Sequence, residues 1–311
     1  MTIVQLEYAV AVDTYRSFVL AAQKCFVTQP TLSMQIQKLE EFLGVKLFDR
    51  SRQPVVPTEI GVEIMEQARL VINESYKIKE IVNDKNNEIS GELKIGIIPT
   101  VAPYLLPKVL GNFLEKHPNV KLSITELHTE VIIQQLKSGI LDCGILATPL
   151  EQNTLVERPL YYENFVAYLS KSSPLFKKKA LNVSDLDDDQ LWLLNEGHCM
   201  RNQILNICKH KSSNENQLEY NSGSIETLIR MVDINNGITI VPELSLQDFS
   251  THKLDKVRYF KSPEPSREIS LVTHQNFVKK RLINALENEI LDSVSKRMKS
   301  KKKKEIVNIQ H

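Results

Sequence analysis

The chain has 311 residues, 42% of them hydrophobic and 25% charged, with a formal net charge of +1. This is an ordinary globular composition with room for two or three domains, and any nucleic-acid binding must come from a local basic surface rather than from net charge. No apolar run approaches the roughly 20 residues of a membrane span, no signal-peptide pattern opens the chain, and four cysteines in this length do not make a disulfide scaffold. The expectation is a cytoplasmic protein without a cofactor, in which any disulfide is conditional.

Phe18, Ala21, Ala22 and Cys25 follow the i, i+3, i+4, i+7 spacing of a buried helical face, which places Cys25 in a core. After a break at Val27, Thr28 suits an N-cap and Pro30 the first turn of a second helix. Leu32, Ile36, Leu39 and Leu43 line one face of that helix, and Gly44 stops it. Two short helices with a tight turn predict a helix-turn-helix. Thr28, Gln29, Pro30, Thr31, Ser33, Gln35 and Lys38 are the candidate DNA contacts, since the start of a recognition helix meets base edges in the major groove. Periodicity by itself is equally met by a solvated helix of any all-α domain. Beyond Gly44, Val45, Leu47 and Phe48 lead into a basic turn and a second extended piece, a candidate wing with Arg50 and Arg52 set for phosphates or the minor groove.

Leu6, Phe18, Ala21-Ala22, Gln29 to Ser33, Ile36, Leu39-Glu40, Leu43-Gly44, Leu47-Phe48, Arg50 and Thr58 to Gly61 together carry a resemblance. They resemble the winged helix-turn-helix of LysR-type transcriptional regulators. Thr58 to about Glu88 then reads as one long helix, with a heptad-like seam of Ile60, Ile64, Ala68, Val71, Ser75, Ile78 and Val82. In this family such a linker helix pairs two subunits; packing against its own domain is the alternative.

From Leu93 the pattern changes to strands alternating with helices, an α/β arrangement. Leu93–Ile98, Val120–Ile124 and Cys143–Ala147 read as strands, with Cys143 in the core. Thr100 and Thr129 stand where a strand gives way to a helix, a place that offers hydroxyls and free N–H groups to a small polar ligand and equally an ordinary N-cap. A second α/β stretch from about Asn164 to Pro265 includes Ser224–Asn235 as a helix and Ile238–Val241 as a strand. Both stretches resemble the effector domain of the same family through Leu136, Gly139, Leu141-Asp142, Ile145 and the Ser224 to Val232 phrase.

The resemblance implies an α+β multidomain fold: a winged helix-turn-helix over residues 1–58, a linker and dimerisation helix over 59–90, and a regulatory domain over 91–300. The last is a two-lobed α/β domain resembling periplasmic binding proteins, with lobe I at about 91–163 and 267–300 and lobe II at about 164–266. The lysine-rich run at 301–311 is expected to be a solvated basic tail.

Two cysteines, Cys199 and Cys208, lie in one short segment, Glu196 to Cys208. Gly197, His198 and Arg201 put Cys199 beside potential positive charge, which lowers a thiol pKa. Ile204, Leu205 and Ile207 mark a short amphipathic helix. At about 1.5 Å per residue the two cysteines would stand about 13 Å apart if both were helical, whereas a disulfide needs Cα atoms within about 7 Å. The pair can bridge only if the segment between them is rebuilt; as isolated thiols they would be small core hydrophobes.

Gly197-His198-Cys199-x-Arg201-x-Gln203 with Cys208, Gly96 to Pro107, and Pro263-Glu-Pro-x-Arg267 closely resemble the peroxide-sensing members of the family. The resemblance implies Cys199 as peroxidatic and Cys208 as resolving cysteine, with Thr100, Thr129, His198 and Arg267 lining a peroxide pocket. It also implies promoter DNA, hydrogen peroxide, a cytosolic dithiol reductant, further copies of the chain up to a tetramer and RNA polymerase as partners, with no metal and no enzymatic turnover. Asn202 departs from the Asp of the better-known members. Two other readings stay open: a regulator sensing a small organic effector in the cleft between lobes, and a thiol peroxidase. A periplasmic solute-binding protein would need an export signal.

Overall fold

The structure is a computed structural model that describes residues 1–85, 89–186, 191–208 and 222–309. The chain divides into two compact units, one centred on Met1–Ile89 and the other on the chain from Ser90 onward.

In the first unit α1 (Ile3–Tyr15) opens with a capping box: the Thr2 hydroxyl accepts from the Gln5 N–H, and the Gln5 side chain accepts from the Thr2 N–H. Ser17 caps α2 (Phe18–Lys24), and Thr28 caps α3 (Gln29–Leu43). Gly44 ends α3 at φ 71, the left-handed conformation that glycine adopts without cost. Strands β1 (Phe48–Asp49) and β2 (Val56–Pro57) pair antiparallel as the wing, and α4 (Glu59–Lys85) follows. Leu6, Ala9, Val12, Leu32, Ile36 and Leu39 fill the core, joined by Met65 and Ala68 of α4.

Two expectations change here. Cys25 is the residue that ends α2, half-buried at the rim of the core rather than inside it, because the helix stops one residue short. The seam of α4 also divides. Ala68 packs inward with Met65 and Ile72, while Ile60, Val71 and Ile78 are 42%, 45% and 67% exposed. Of the helix expected to reach Glu88, residues 86–88 lie outside the described residues, as does the side chain of Val82.

The second unit starts with β3 (Gly91–Ile97), α5 (Ala102–Lys116), β4 (Val120–Glu126), α6 (Thr129–Ser138) and β5 (Cys143–Thr148). Strand β3 pairs parallel with both β4 and β5, and helical crossovers are what parallel neighbours require. β5 is buried at every position, with Cys143 fully inside. Then β6 (Leu155–Leu169) runs out of this sheet into a second one. β7 (Ala180–Leu181), β8 (Leu191–Trp192), α7 (Cys199–Cys208), α8 (Ile225–Asn235), β9 (Ile238–Pro242), α9 (Thr251–Leu254) and β10 (Val257–Phe260) belong to that second lobe.

β11 (Glu264–His274) carries the chain back, paired antiparallel with β5 and β6, and α10 (Lys280–Ser293) follows. The chain thus crosses between lobes on two long neighbouring strands. Residues 155–164 of β6 pair with β11 in the first sheet, and residues 165–169 pair with β9 in the second. Tyr104 of α5 donates to Glu226 of α8, a further tie between the lobes.

The terminal basic run is not a free tail over its described length. β12 (Lys304–Ile306) pairs parallel with Glu264–Ser266 of β11. Ile309, 7% exposed, is buried and Val307 packs on the second lobe's core. The apolar residues alternating after the lysines supply the burial that a solvated tail lacks. Residues 310 and 311 lie outside the described residues.

Candidate functional site

In the helix-turn-helix unit, Thr28, Gln29, Pro30, Thr31, Lys38 and Arg52 are exposed. Thr28 and Thr31 share a hydroxyl–hydroxyl bond of 2.8 Å at the start of α3. Gln35 and Arg50 are committed within the fold. The Gln35 side chain accepts from Gln5 at 3.2 Å. Arg50 donates to Ser33 at 3.1 Å, pairs with Glu40 at 3.4 Å and lies 4.8 Å over the Phe18 ring. Arg50 therefore fixes the wing against the recognition helix and keeps part of its guanidinium at the surface. Arg52 is the freer cation, paired among the described residues with Asp49 of its own turn at 3.2 Å and 71% exposed. Glu40, which the sequence marked through the family resemblance without giving it a role, accepts the buried Leu47 N–H at 2.9 Å and so sets where the wing begins.

In the effector unit the thiol site forms between the lobes. Thr100 lies in the turn after β3, Thr129 is the first residue of α6, and Cys199 is the first residue of α7. Gly197, at φ 91, makes the turn that delivers Cys199, a conformation for which glycine is suited. Arg267 on β11 is fully buried and meets Glu163 of β6, also fully buried, at 2.6 Å. Its other N–H groups donate to the Thr100 hydroxyl at 2.8 Å and to the Thr100 carbonyl at 3.0 Å. A hydroxyl that accepts from a guanidinium keeps its own proton to donate. Burial opposes the charge on Arg267, but Glu163, Tyr161 and Cys199 outweigh it and raise its pKa, so it is a permanent cation.

The Cys199 thiol feels opposing influences. Burial, the largest, pushes it above its ordinary value; Thr129, Arg267 and the N–H groups of Met200 and Cys199 pull it down without prevailing. The residue as a whole keeps partial solvent access, yet its surroundings are dense enough for desolvation to lead. The expected acidification by Arg201 is overturned, because Arg201 turns away and donates to the Leu194 carbonyl at 2.8 Å. Arg267, 68 residues further on, is the cation at the sulfur. The Thr129 hydroxyl is buried and meets no partner in hydrogen-bond geometry; its influence on the thiol is one of proximity.

His198 is 5% exposed, and its ring meets the His128 ring edge-on at 4.6 Å. Burial and then His128 lower its pKa, so the His198 imidazole is neutral at pH 7. His128 is a participant that sequence reasoning missed, although it directly precedes Thr129. Its Nδ1, the Gln203 Oε1 and the Tyr161 hydroxyl are likewise buried without a partner. The unsatisfied Thr129 hydroxyl and His128 Nδ1 lie beside the thiol segment, and a small hydrogen-bonding molecule there would satisfy them, since buried polar groups are otherwise paired. The structure thus brings Thr100, Thr129, Cys199 and Arg267 together and sets His198 directly before the thiol. Cys208 closes α7 nine residues on; its side chain lies outside the described residues.

Two family models match this chain: a bacterial regulatory helix-turn-helix protein of the lysR family over residues 3–62, and the LysR substrate binding domain over residues 86–295. The chain belongs to the LysR family. The hydrogen peroxide-inducible genes activator of Haemophilus influenzae is 39% identical over 272 residues, covering 88% of this chain and 90% of that protein. The DNA-binding transcriptional dual regulator OxyR of Escherichia coli is 38% identical over 274 residues, covering 88% and 89%. Full-length OxyR of Pseudomonas aeruginosa superimposes with a TM-score of 0.77 at 32% identity, covering 94% of this chain and 98% of that one. Among the described residues no helix is long and apolar enough to cross a membrane.

Proposed function

We propose that this LysR-family chain is a hydrogen-peroxide-sensing, DNA-binding transcription regulator, switched by a reversible Cys199–Cys208 disulfide. The observation that carries this reading is the constellation at the start of α7. A thiol stands within reach of a fully buried, permanently charged Arg267 and the Thr100 and Thr129 hydroxyls, on a helix whose far end is another cysteine. The likeness to peroxide-responsive relatives over 88% of the chain supports it.

The chemistry follows from those groups. The thiolate attacks one peroxide oxygen and the O–O bond breaks, leaving a sulfenic acid on Cys199. The departing hydroxide, with the thiol proton, becomes water. Arg267 and the Thr100 hydroxyl face the site where negative charge collects on that oxygen. The Cys208 thiol then displaces the second water, so that two thiols and one peroxide yield a disulfide and two waters. A cytosolic dithiol returns the pair to thiols.

Forming the bridge requires α7 to unwind, and the altered second lobe repositions the paired DNA-binding units over their half-sites. Thr28, Gln29, Thr31, Ser33 and Lys38 meet the DNA together with Arg52, while Pro30, Gln35 and Arg50 shape the reading surface. The exposed α4 seam of Ile60, Val71 and Ile78 pairs two copies, and a tetramer forms through the effector units. Such a protein works in the cytoplasm, contacts RNA polymerase at promoters and turns over no substrate.

Peptide mapping by mass spectrometry tests this, after brief exposure to a slight excess of peroxide. A Cys199–Cys208 crosslink is expected, with Cys25 and Cys143 still alkylatable. If both cysteines stay reduced while the protein still binds promoter DNA, the peroxide reading fails and a small organic effector in the inter-lobe cleft takes its place.

A further inference from the structure

Three side chains of α7 reach the same short stretch of backbone. Asn202 donates to the Ile309 carbonyl at 3.4 Å, Gln203 to the Val307 carbonyl at 2.9 Å, and Asn206 to the Asn308 carbonyl at 3.1 Å. Asn202 and Asn206 stand four residues apart and Gln203 adjoins the first, so the three share one side of the helix. The carbonyls they hold follow directly on β12, which pairs with Glu264–Ser266, and the Val307 N–H donates to the Ser266 carbonyl at 2.9 Å. Ser266 adjoins Arg267. The last described residues of the chain therefore join the strand that carries the site's cation to the helix that carries its thiol.

We propose that Asn202 and Asn206 are positioning residues that fasten α7 to the segment after the C-terminal strand, and that disulfide formation must release the carbonyls of residues 307–309 from α7. This rests on the Cys199–Cys208 reading and adds its mechanical cost. Ten helical residues separate the sulfur-bearing ends by about 13 Å, so bringing their Cα atoms within about 7 Å takes the residues between them out of the helix. All three anchoring amides are among those residues. Unwinding and anchoring exclude each other.

The same geometry accounts for the residue type at 202. The bond to Ile309 needs a donor, and an ionised Asp has none to give; its charge would face a carbonyl oxygen instead. An amide at 202 belongs with a C-terminal segment docked on this helix. The strength of the anchoring then sets how long the sulfenic acid on Cys199 persists before Cys208 displaces its hydroxyl as water.

The test separates the two chemical steps. The full-length double variant Asn202→Val, Asn206→Val removes both donors at nearly equal helix propensity. Sulfenic acid formation, followed with a dimedone-type trap, is expected to stay within about twofold of wild type. Conversion of that sulfenic acid to the disulfide is expected to accelerate roughly thirtyfold, the rate equivalent of losing two neutral hydrogen bonds. Asn206→Gln, which keeps a donor, should restore the wild-type interval when paired with native Asn202. Unchanged conversion in the double variant overturns the proposal.

Hydrogen exchange of the wild-type chain gives a reading that needs no variant to fold. Peptides spanning α7, residues 199–208, whose N–H groups are bonded within the helix, should lose protection when the protein is oxidised. If the crosslink forms while these amides stay as protected as before, the anchoring role is overturned and the sensing reading survives. If no crosslink forms in the wild type, the sensing reading itself falls and the anchoring proposal with it.

Discussion

Each unit of this protein builds its working surface on a buried carboxylate, and the two differ in what answers the charge. Glu40 has a side chain only 1% exposed, but its cations reach it from the surface: Lys46 is 72% exposed and Arg50 40%. Glu163 is answered by Arg267, and both side chains are fully buried. The first carboxylate is held chiefly by a backbone N–H, with solvated cations as accessories. The second also accepts a backbone N–H, from Leu244 at 3.2 Å, but its cation has no water to fall back on. Burial of the partner, rather than distance, decides what each pair can do. A solvated cation can be lost cheaply, while a desolvated one remains at full electrostatic strength beside the thiol.

The sharpest way to break that contrast is Arg267→Leu. It strands the Glu163 charge and removes the partner of Thr100. A loss of about 3–5 kcal/mol in urea unfolding is expected, together with loss of the peroxide-driven crosslink. Replacing both partners, Glu163→Leu with Arg267→Leu, should recover part of the stability, less the cost of the stranded Leu244 N–H, without recovering the crosslink. If the single variant is as stable as wild type, the pair is not the closed ion pair described here. Next in size is Glu40→Leu, which leaves the buried Leu47 N–H without an acceptor. About 2 kcal/mol should be lost from the DNA-binding unit, and DNA affinity should fall because the wing begins in the wrong place.

The thiol offers a third comparison, read as a rate. Burial holds the Cys199 pKa above its ordinary value of 9.0 despite Arg267. The reactive thiolate is therefore a minor species at neutral pH, and its fraction grows as pH rises. In a Cys208→Ser background the rate of sulfenic acid formation should climb about tenfold per pH unit, the slope of a single ionisation, and still be rising at pH 9. A plateau near neutrality would mean that the cation and hydroxyls prevail over burial after all.

What could be read from the residues followed how local the cause was. Thr28 and Gly44 bound α3 because caps act within a few residues, and β4 shows its alternation within seven. The short helix through Ile204, Leu205 and Ile207 and the threonines at strand–helix junctions were legible for the same reason. Glu163 was not, since its meaning comes from a residue 104 positions away. Local reading around Cys199 pointed to Arg201, and Arg267 entered through the family resemblance alone, because nearness in sequence does not report nearness in space. The C-terminal run was misread because five lysines between positions 299 and 304 outweigh, by composition, the Ile306, Val307 and Ile309 that dock it. Cys25 shows the limit of periodicity, which continues in the residues past the point where the helix ends.

The smallest expected effect is the most discriminating. Lys46→Ala removes a cation that meets Glu40 at 3.2 Å, a geometry no worse in distance than many buried pairs. Because Lys46 is largely solvated, its loss should cost no more than about 0.5–1 kcal/mol, a shift in Tm of a few degrees, and the loss should shrink further in high salt as screening removes what remains of the attraction. Glu40 keeps the Leu47 N–H and Arg50, so the wing should stay in register and half-site selection should be unchanged. If Lys46→Ala instead destabilised the unit as much as Glu40→Leu, the carboxylate would be depending on its surface cations. The two units would then be built on the same kind of pair rather than on opposite kinds.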